Sequence, residues 1–141
     1  MTTQELYRCA ARNHIPIVTY PMPRCGSMSV ETPCGSAIGV DRRVLRSTSQ
    51  TRTHLAHELG HCLTGSFYNR YTPYDVRLRH EHRADKWAIR KLIPAKALDE
   101  AVAAGHTQLW ELAEHFGVTE DFMRKAVCLH VHGNLATDLY F

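Results

Sequence analysis

The 141-residue sequence lacks the features that mark membrane, repeat and secreted disulfide-rich proteins. It has no apolar run near the roughly 18 residues of a membrane span, no CxxC pair and no internal repeat. Its first residues, MTTQELYRCAARNH, are polar and predict a short amphipathic helix rather than a secretory signal. We therefore expect a protein without membrane association that works in the cytoplasm.

Charge and cysteine content indicate neither a nucleic-acid surface nor a disulfide scaffold. The 17 Lys and Arg against 14 Asp and Glu give a net charge of only +3, and the basic residues are scattered rather than gathered into a stripe. Five cysteines, an odd number at irregular spacing, predict reduced thiols. Ten histidines are more than packing requires and suggest metal ligands.

Length and residue pattern predict one α+β domain over residues 1–141. A chain of this length buries about two thirds of its unfolded surface, which is enough for a core. A helix over residues 2–12 precedes three predicted short strands near residues 15–20, 25–30 and 36–41. Pro16 predicts that the first strand lies at a sheet edge, and the turn Pro33-Cys34-Gly35 predicts a hairpin of the other two.

The second half of the chain reads as helical. Ser47 and Gln50 form a capping-box pattern, and Gly65 supplies a stop. The predicted helices cover residues 47–65, 75–93, 97–105, 107–116 and 119–131, with Pro94 ending the second of them. The tail from Gly133 onward is expected to be loose.

The stretch HLAHELGHCLT, residues 54–64, carries the strongest functional signal. His57 and His61 are four residues apart, which places them on one helix face with Cβ atoms about 5–6 Å apart, so that both can bind one zinc ion. Glu58 lies on the flank of that face, where a general base is needed. Gly60 lacks a side chain and lets another element approach closely. This segment predicts a metal site with a base beside it.

A catalytic zinc site has three protein ligands, so a third must come from elsewhere in the chain. In the segment RHEHRADKWAIRKLIP, two carboxylates share an apolar stripe of a predicted helix. We expect this stripe to pack on the helix that carries His57 and His61, the first metal helix. The stripe consists of Glu81, Ala84, Asp85, Ala88 and Leu92. Burying these carboxylates without a cation costs several kcal/mol. We predict that Glu81 is the third ligand and that Asp85 accepts the free ring N–H of a liganding histidine.

The chain resembles the ImmA/IrrE family of small, gluzincin-like zinc peptidases in two motifs separated by a loop. The first motif is HELGH. The second is EHRADKWAIRKLIP here and roughly ExEAxxFAxxLLMP in the family. This chain departs from that motif at Arg83 and Trp87. The resemblance implies zinc-dependent cleavage of a protein, in several members a helix-turn-helix repressor of a prophage, mobile element or stress response. The implied ligands are His57, His61 and Glu81, and the implied base is Glu58. The substrate of this chain stays open.

Peptide hydrolysis also needs a donor for the developing oxyanion, and the sequence offers several without choosing among them. Tyr68 and Tyr71 follow the first metal helix, and the remaining candidates are Tyr74, His54, His80 and His82. We otherwise expect His54 to be an outer-shell or surface residue, and His80 and His82 to lie on the surface. An edge strand near residues 26–30 is the predicted place for an extended substrate to pair.

Two alternative functions come from other features. The stretch ELAEHFGVTEDFMRKAV, within residues 107–131, resembles a helix-turn-helix, which suggests DNA binding. Glu120 and Asp121 would meet phosphates and base edges at the start of its second helix, and Arg124 and Lys125 are too few to offset them. We interpret the unit as a helical hairpin. The other alternative is a non-catalytic interaction module stabilised by zinc, which would have no use for Glu58.

Overall fold

The computed structural model describes residues 1–135 and has the predicted α+β architecture. Its elements in chain order are α1 (Thr3–Arg12), β1 (Ile17–Thr19), β2 (Ser27–Thr32), β3 (Gly35–Val40), α2 (Thr48–Thr64), α3 (Tyr74–Leu92), α4 (Ala95–Ala103), α5 (Leu109–Phe116) and α6 (Glu120–His132). Each corresponds to a predicted element, with ends shifted by a few residues. The predicted loose tail is partly wrong, since Leu135 is buried in the core. The rest of that tail, residues 136–141, lies outside the described residues.

The three strands form a mixed sheet in the order β1-β3-β2. β2 and β3 form the predicted antiparallel hairpin, while β1 runs parallel to β3 at one edge, directly after Pro16. β2 is the opposite edge. Ser27 and Ser29 of β2 face α2, and the alternate residues Met28 and Val30 are exposed on the other face. The edge strand therefore presents hydroxyl groups to the helix that carries the HExxH motif.

Local signals set the ends of the two long helices. Ser47 and Gln50 form the capping box of α2, in which each side chain bonds to the other residue's backbone N–H. Gly65 ends α2 in the left-handed conformation, with φ of 65°. α3 begins after Pro73 and ends just before Pro94. These boundaries fix the length over which α2 and α3 run side by side.

Helices α2 and α3 approach each other closely at Gly60. A Cβ atom added there would lie 2.5 Å from the carbonyl oxygen of Ala84 on α3, so no side chain fits between the helices. Leu55, Leu59 and Ala88 are fully buried around this contact. The close approach predicted from Gly60 is thus confirmed, and it brings the HExxH helix against the carboxylates of α3.

Within residues 1–135, no helix is both long enough and apolar enough to cross a bilayer. All five cysteines are unpaired, in keeping with the predicted thiols.

Candidate metal centre

Three side chains from α2 and α3 converge on one point. The Nε2 atoms of His57 and His61 are 3.1 Å apart. One carboxylate oxygen of Glu81 lies 2.8 Å from His57 Nε2, and the other lies 3.3 Å from His61 Nε2. Their ligand atoms lie within 4.8 Å of one another, which is close enough to hold one metal ion. The structure therefore brings together the three residues predicted as ligands.

The opposite nitrogen of each ring is already bonded. His57 Nδ1 lies 2.8 Å from Asp85 Oδ1, and His61 Nδ1 lies 2.7 Å from the carbonyl oxygen of Ser66. Both partners only accept hydrogen bonds, so each Nδ1 carries a proton, and Nε2 is the nitrogen that each ring turns towards the other side chains of the cluster. Asp85 lies where the sequence predicted, and such contacts fix the orientation of metal-binding histidines.

The Nε2 atoms of His57 and His61 and the carboxylate of Glu81 are close enough to need a positive charge between them, which a proton or a metal ion can supply. Burial lowers the pKa of His57, but hydrogen bonds with Asp85 and Glu81 outweigh it and raise the pKa to about 10. Burial raises the pKa of Glu81, but the hydrogen bonds from His57 and His61 outweigh burial and bring this pKa well below its ordinary value. The cluster thus attracts positive charge, and its two nitrogens and one carboxylate suit a divalent metal such as zinc.

Glu58 lies beside the cluster without joining it. Its side chain is buried and accepts hydrogen bonds from the hydroxyls of Ser27, at 2.8 Å, and Ser29, at 3.1 Å, so that both carboxylate oxygens are held by β2. Ser27 in turn lies 2.7 Å from His54 Nδ1. His54 is therefore linked to Glu58 through the hydroxyl of Ser27. Neither serine is predicted from the sequence, although hydroxyl side chains at alternating positions of an edge strand are a usable signal.

Only Tyr68 among the loop tyrosines reaches the cluster. Its hydroxyl donates to Glu81 Oε1 at 2.5 Å, and its ring centroid is 6.0 Å from that of His61. Burial and the hydrogen bond to Glu81 raise the pKa of Tyr68, so the phenol keeps its proton. Tyr71 and Tyr74 are 78% and 68% exposed and do not line the cleft.

The two histidines that flank Glu81 are less exposed than predicted. His80 is half-buried and lies 2.9 Å from the carbonyl oxygen of Phe67. His82 is buried, so its predicted surface position is wrong. α3 contacts both α2 and α6, and a helix covered by more than one neighbour buries more than a single stripe.

The C-terminal hairpin docks behind the metal cluster. Lys125 Nζ on α6 lies 3.2 Å from Asp85 Oδ2, so Asp85 joins His57 to α6. The backbone N–H of Thr119 donates to Thr53 on α2 at 3.2 Å. These contacts join residues 40 and 66 positions apart, and nothing in the local sequence signals them.

An open cleft of about 590 Å³ lies in front of the cluster. β2 forms one wall, and the segment 67–70 with Arg77 of α3 forms the other. A second cavity of about 260 Å³ lies towards α6 and shares His54, His57 and Glu81 with the first. Open space thus lies on both sides of the candidate metal ligands.

The sequence model of the IrrE N-terminal-like domain, Peptidase_M78, matches residues 34–127, which are 94 of the 141 residues. The match contains His57, Glu58, His61, Glu81 and Asp85. It begins at the turn between β2 and β3, so that Ser27 and Ser29 precede it. A search of curated proteins finds no match.

Proposed function

The chain belongs to the IrrE N-terminal-like family of peptidases, as its resemblance to ImmA/IrrE proteins predicted, and on this premise we propose that it is a zinc-dependent endopeptidase of the gluzincin type. The observation that carries the proposal is the convergence of His57, His61 and Glu81, with the buried carboxylate of Glu58 beside them. In this arrangement the three ligands hold zinc, and Glu58 is left to act on the substrate side.

Zinc, when bound, polarises a carbonyl group and lowers the pKa of water. Glu58 takes a proton from the attacking water and returns it to the leaving amine as general base and then general acid. Ser27 and Ser29 hold its carboxylate in position. The phenol of Tyr68, which keeps its proton and bonds to Glu81 in this structure, turns from Glu81 to the developing oxyanion and donates its hydrogen bond there.

The edge of β2 is the proposed place for the substrate backbone. Among residues 1–135, β2 pairs with a strand on one side only, so its outer edge has backbone groups that an extended peptide can bond. Ser27 to Val30 of that strand line the cleft. A peptide added there passes directly in front of Glu58. An open cleft beside a free strand edge suits a polypeptide better than a small molecule.

The proposed substrate is a regulatory protein, in the first place a helix-turn-helix repressor of a prophage, mobile element or stress response. This target follows from the ImmA/IrrE resemblance, and the open cleft supports it by admitting an extended segment of chain. A repressor acts where the DNA is, so we also propose that the peptidase works in the cytoplasm.

The two alternatives have less support. α6 turns Phe122, Met123 and Ala126 into the core and directs Lys125 at Asp85, which leaves few cations for a DNA backbone. A module with purely structural zinc gives no reason for Glu58 to be buried beside the ligands without binding the metal.

Metal analysis and proteolysis together test the proposal. We expect about one zinc per chain in the wild type, lost in His61→Ala and Glu81→Ala, and kept in Glu58→Gln. The wild type should cleave an unstructured protein such as casein, and Glu58→Gln should not. Zinc that survives the loss of Glu81, or equal cleavage by Glu58→Gln, contradicts the proposed site.

A further inference from the structure

The wall of the cleft opposite β2 carries two arginines, Arg70 and Arg77. Arg70 donates to the hydroxyl of Tyr71 at 2.8 Å, and its guanidinium lies 4.9 Å from the centre of that ring, so the side chain is held in place. Neither arginine forms a salt bridge with a carboxylate of residues 1–135. This wall therefore presents positive charge that the described protein does not neutralise.

Arg77 is the better placed of the two. It precedes Glu81 by one helical turn on α3, so the two side chains share a helix face. Its charge acts on the phenol of Tyr68, which bonds to Glu81. The Nε atom of Arg77 is buried and has no hydrogen-bond partner in the described part of the chain. Because that atom is buried, a carboxylate in the cleft would bond to the terminal nitrogens of this guanidinium, whose charge has no counter-ion among residues 1–135.

The carboxylates that line the cleft are already committed. Glu58 is bonded to two serines of β2. Glu81 is bonded to both metal-binding histidines and to Tyr68. Arg79, two residues after Arg77, is exposed and pairs with Asp75 at 3.3 Å. On α3, then, the arginine that lines the cleft is unpaired, while a neighbour that faces solvent is paired.

We propose that Arg77, assisted by Arg70, forms a subsite for an acidic side chain of the protein substrate. A guanidinium binds a carboxylate through two parallel N–H···O bonds, which a neutral amide cannot replace. The inference rests on the proposed function in one respect, namely that the cleft binds a polypeptide. It makes the peptidase selective for segments with Asp or Glu beside the scissile bond.

Peptide binding tests this without requiring catalysis. The probes are fluorescently labelled decapeptides of alternating Glu and Ala or of alternating Gln and Ala, both with amidated C-termini. Binding to zinc-loaded Glu58→Gln protein is followed by fluorescence anisotropy. We expect the Glu peptide to bind about tenfold more tightly, or about 1.4 kcal/mol. Arg77→Gln should reduce this ratio to about one, and added salt should also reduce it.

Arg79→Gln is the matched control, because it removes the same charge from the same helix outside the cleft. It should keep the tenfold preference, and Arg70→Gln in the exposed loop should reduce it in part. Thermal melts show whether each variant is folded. A third probe, the Gln peptide with a free C-terminal carboxylate, separates side-chain recognition from recognition of a chain end.

Several results overturn the subsite. They are equal binding of the two amidated peptides, no binding of either, or a preference that survives Arg77→Gln, as it would if glutamates bound the metal instead. Arg77-dependent binding of the free C-terminus alone also overturns it. The proposed function fails separately: protein with intact Glu58 that binds the Glu peptide and cleaves neither it nor casein refutes the peptidase and leaves the subsite standing.

Discussion

Replacing Gly60 by Ala should weaken metal binding even though the side chain touches neither ligand nor metal. The added Cβ would lie 2.5 Å from the carbonyl oxygen of Ala84, against an ordinary contact of at least 3.4 Å, so the helices must separate by about 0.9 Å. Metal–ligand distances tolerate only about 0.2 Å. Because His57 and Glu81 lie on different helices, a separation of this size moves the third ligand away from the other two.

The change in folding stability caused by Gly60→Ala follows from two opposing effects. Overpacking costs about 1–3 kcal/mol, and here the contact is backbone, which cannot rotate away. The better helix propensity of Ala returns about 1 kcal/mol. With the overpacking cost at about 3 kcal/mol, the upper end of that range, we expect Gly60→Ala to lose about 2 kcal/mol of stability, or about 6 °C in Tm for a chain of this size. We also expect it to bind zinc at least about tenfold more weakly.

Chelator competition and thermal melts of the metal-free protein measure the two effects separately. Gly105→Ala is the control, since Gly105 has a φ of 104° but nothing within 4 Å of an added Cβ. It should lower Tm through backbone strain and leave zinc affinity unchanged. Wild-type zinc affinity in Gly60→Ala would refute the argument that this glycine sets the distance between the ligands.

Three further predictions test the surroundings of the site. Asp85→Asn should weaken zinc binding about 10- to 100-fold, because the carboxylate that holds the Nδ1–H of His57 is lost; chelator competition measures this, and an unchanged affinity contradicts it. The double variant Ser27→Ala and Ser29→Ala should keep its zinc and lower kcat by about tenfold, since Glu58 loses both positioning hydrogen bonds; steady-state kinetics on casein would refute this if only KM changed. Backbone hydrogen bonds from Met22 and Arg43 lower the pKa of Asp41, so the stability that its carboxylate contributes is present at neutral pH and lost as pH falls. In thermal melts, Asp41→Asn should have a lower Tm than wild type at pH 7, and this difference in Tm should narrow below about pH 4. A difference in Tm that does not depend on pH would count against this.

The local sequence predicted those features that depend on neighbours along the chain. Helix periodicity with capping residues and glycine stops gave the helix ends to within a few residues, because caps and stops act within one turn. The spacing of His57 and His61 requires one shared face on any helix. Glu81 and Asp85 were predictable because burying carboxylates on an apolar stripe is unfavourable without a cation nearby. A metal ion held by the paired histidines would be that cation.

Tertiary structure decided what surrounds that pair of helices. Ser27 and Ser29 hold Glu58 only because the hairpin sets β2 against α2, and Lys125 reaches Asp85 only because α6 folds back over α3. His82 is buried for a related reason, since its exposure depends on how many elements cover α3. The sequence by itself predicted the candidate ligands and base, since the spacing of His57, Glu58 and His61 is a local property of one helix. Contacts between residues dozens of positions apart depend on packing of the whole chain, so the groups that position those residues became visible only in the folded structure.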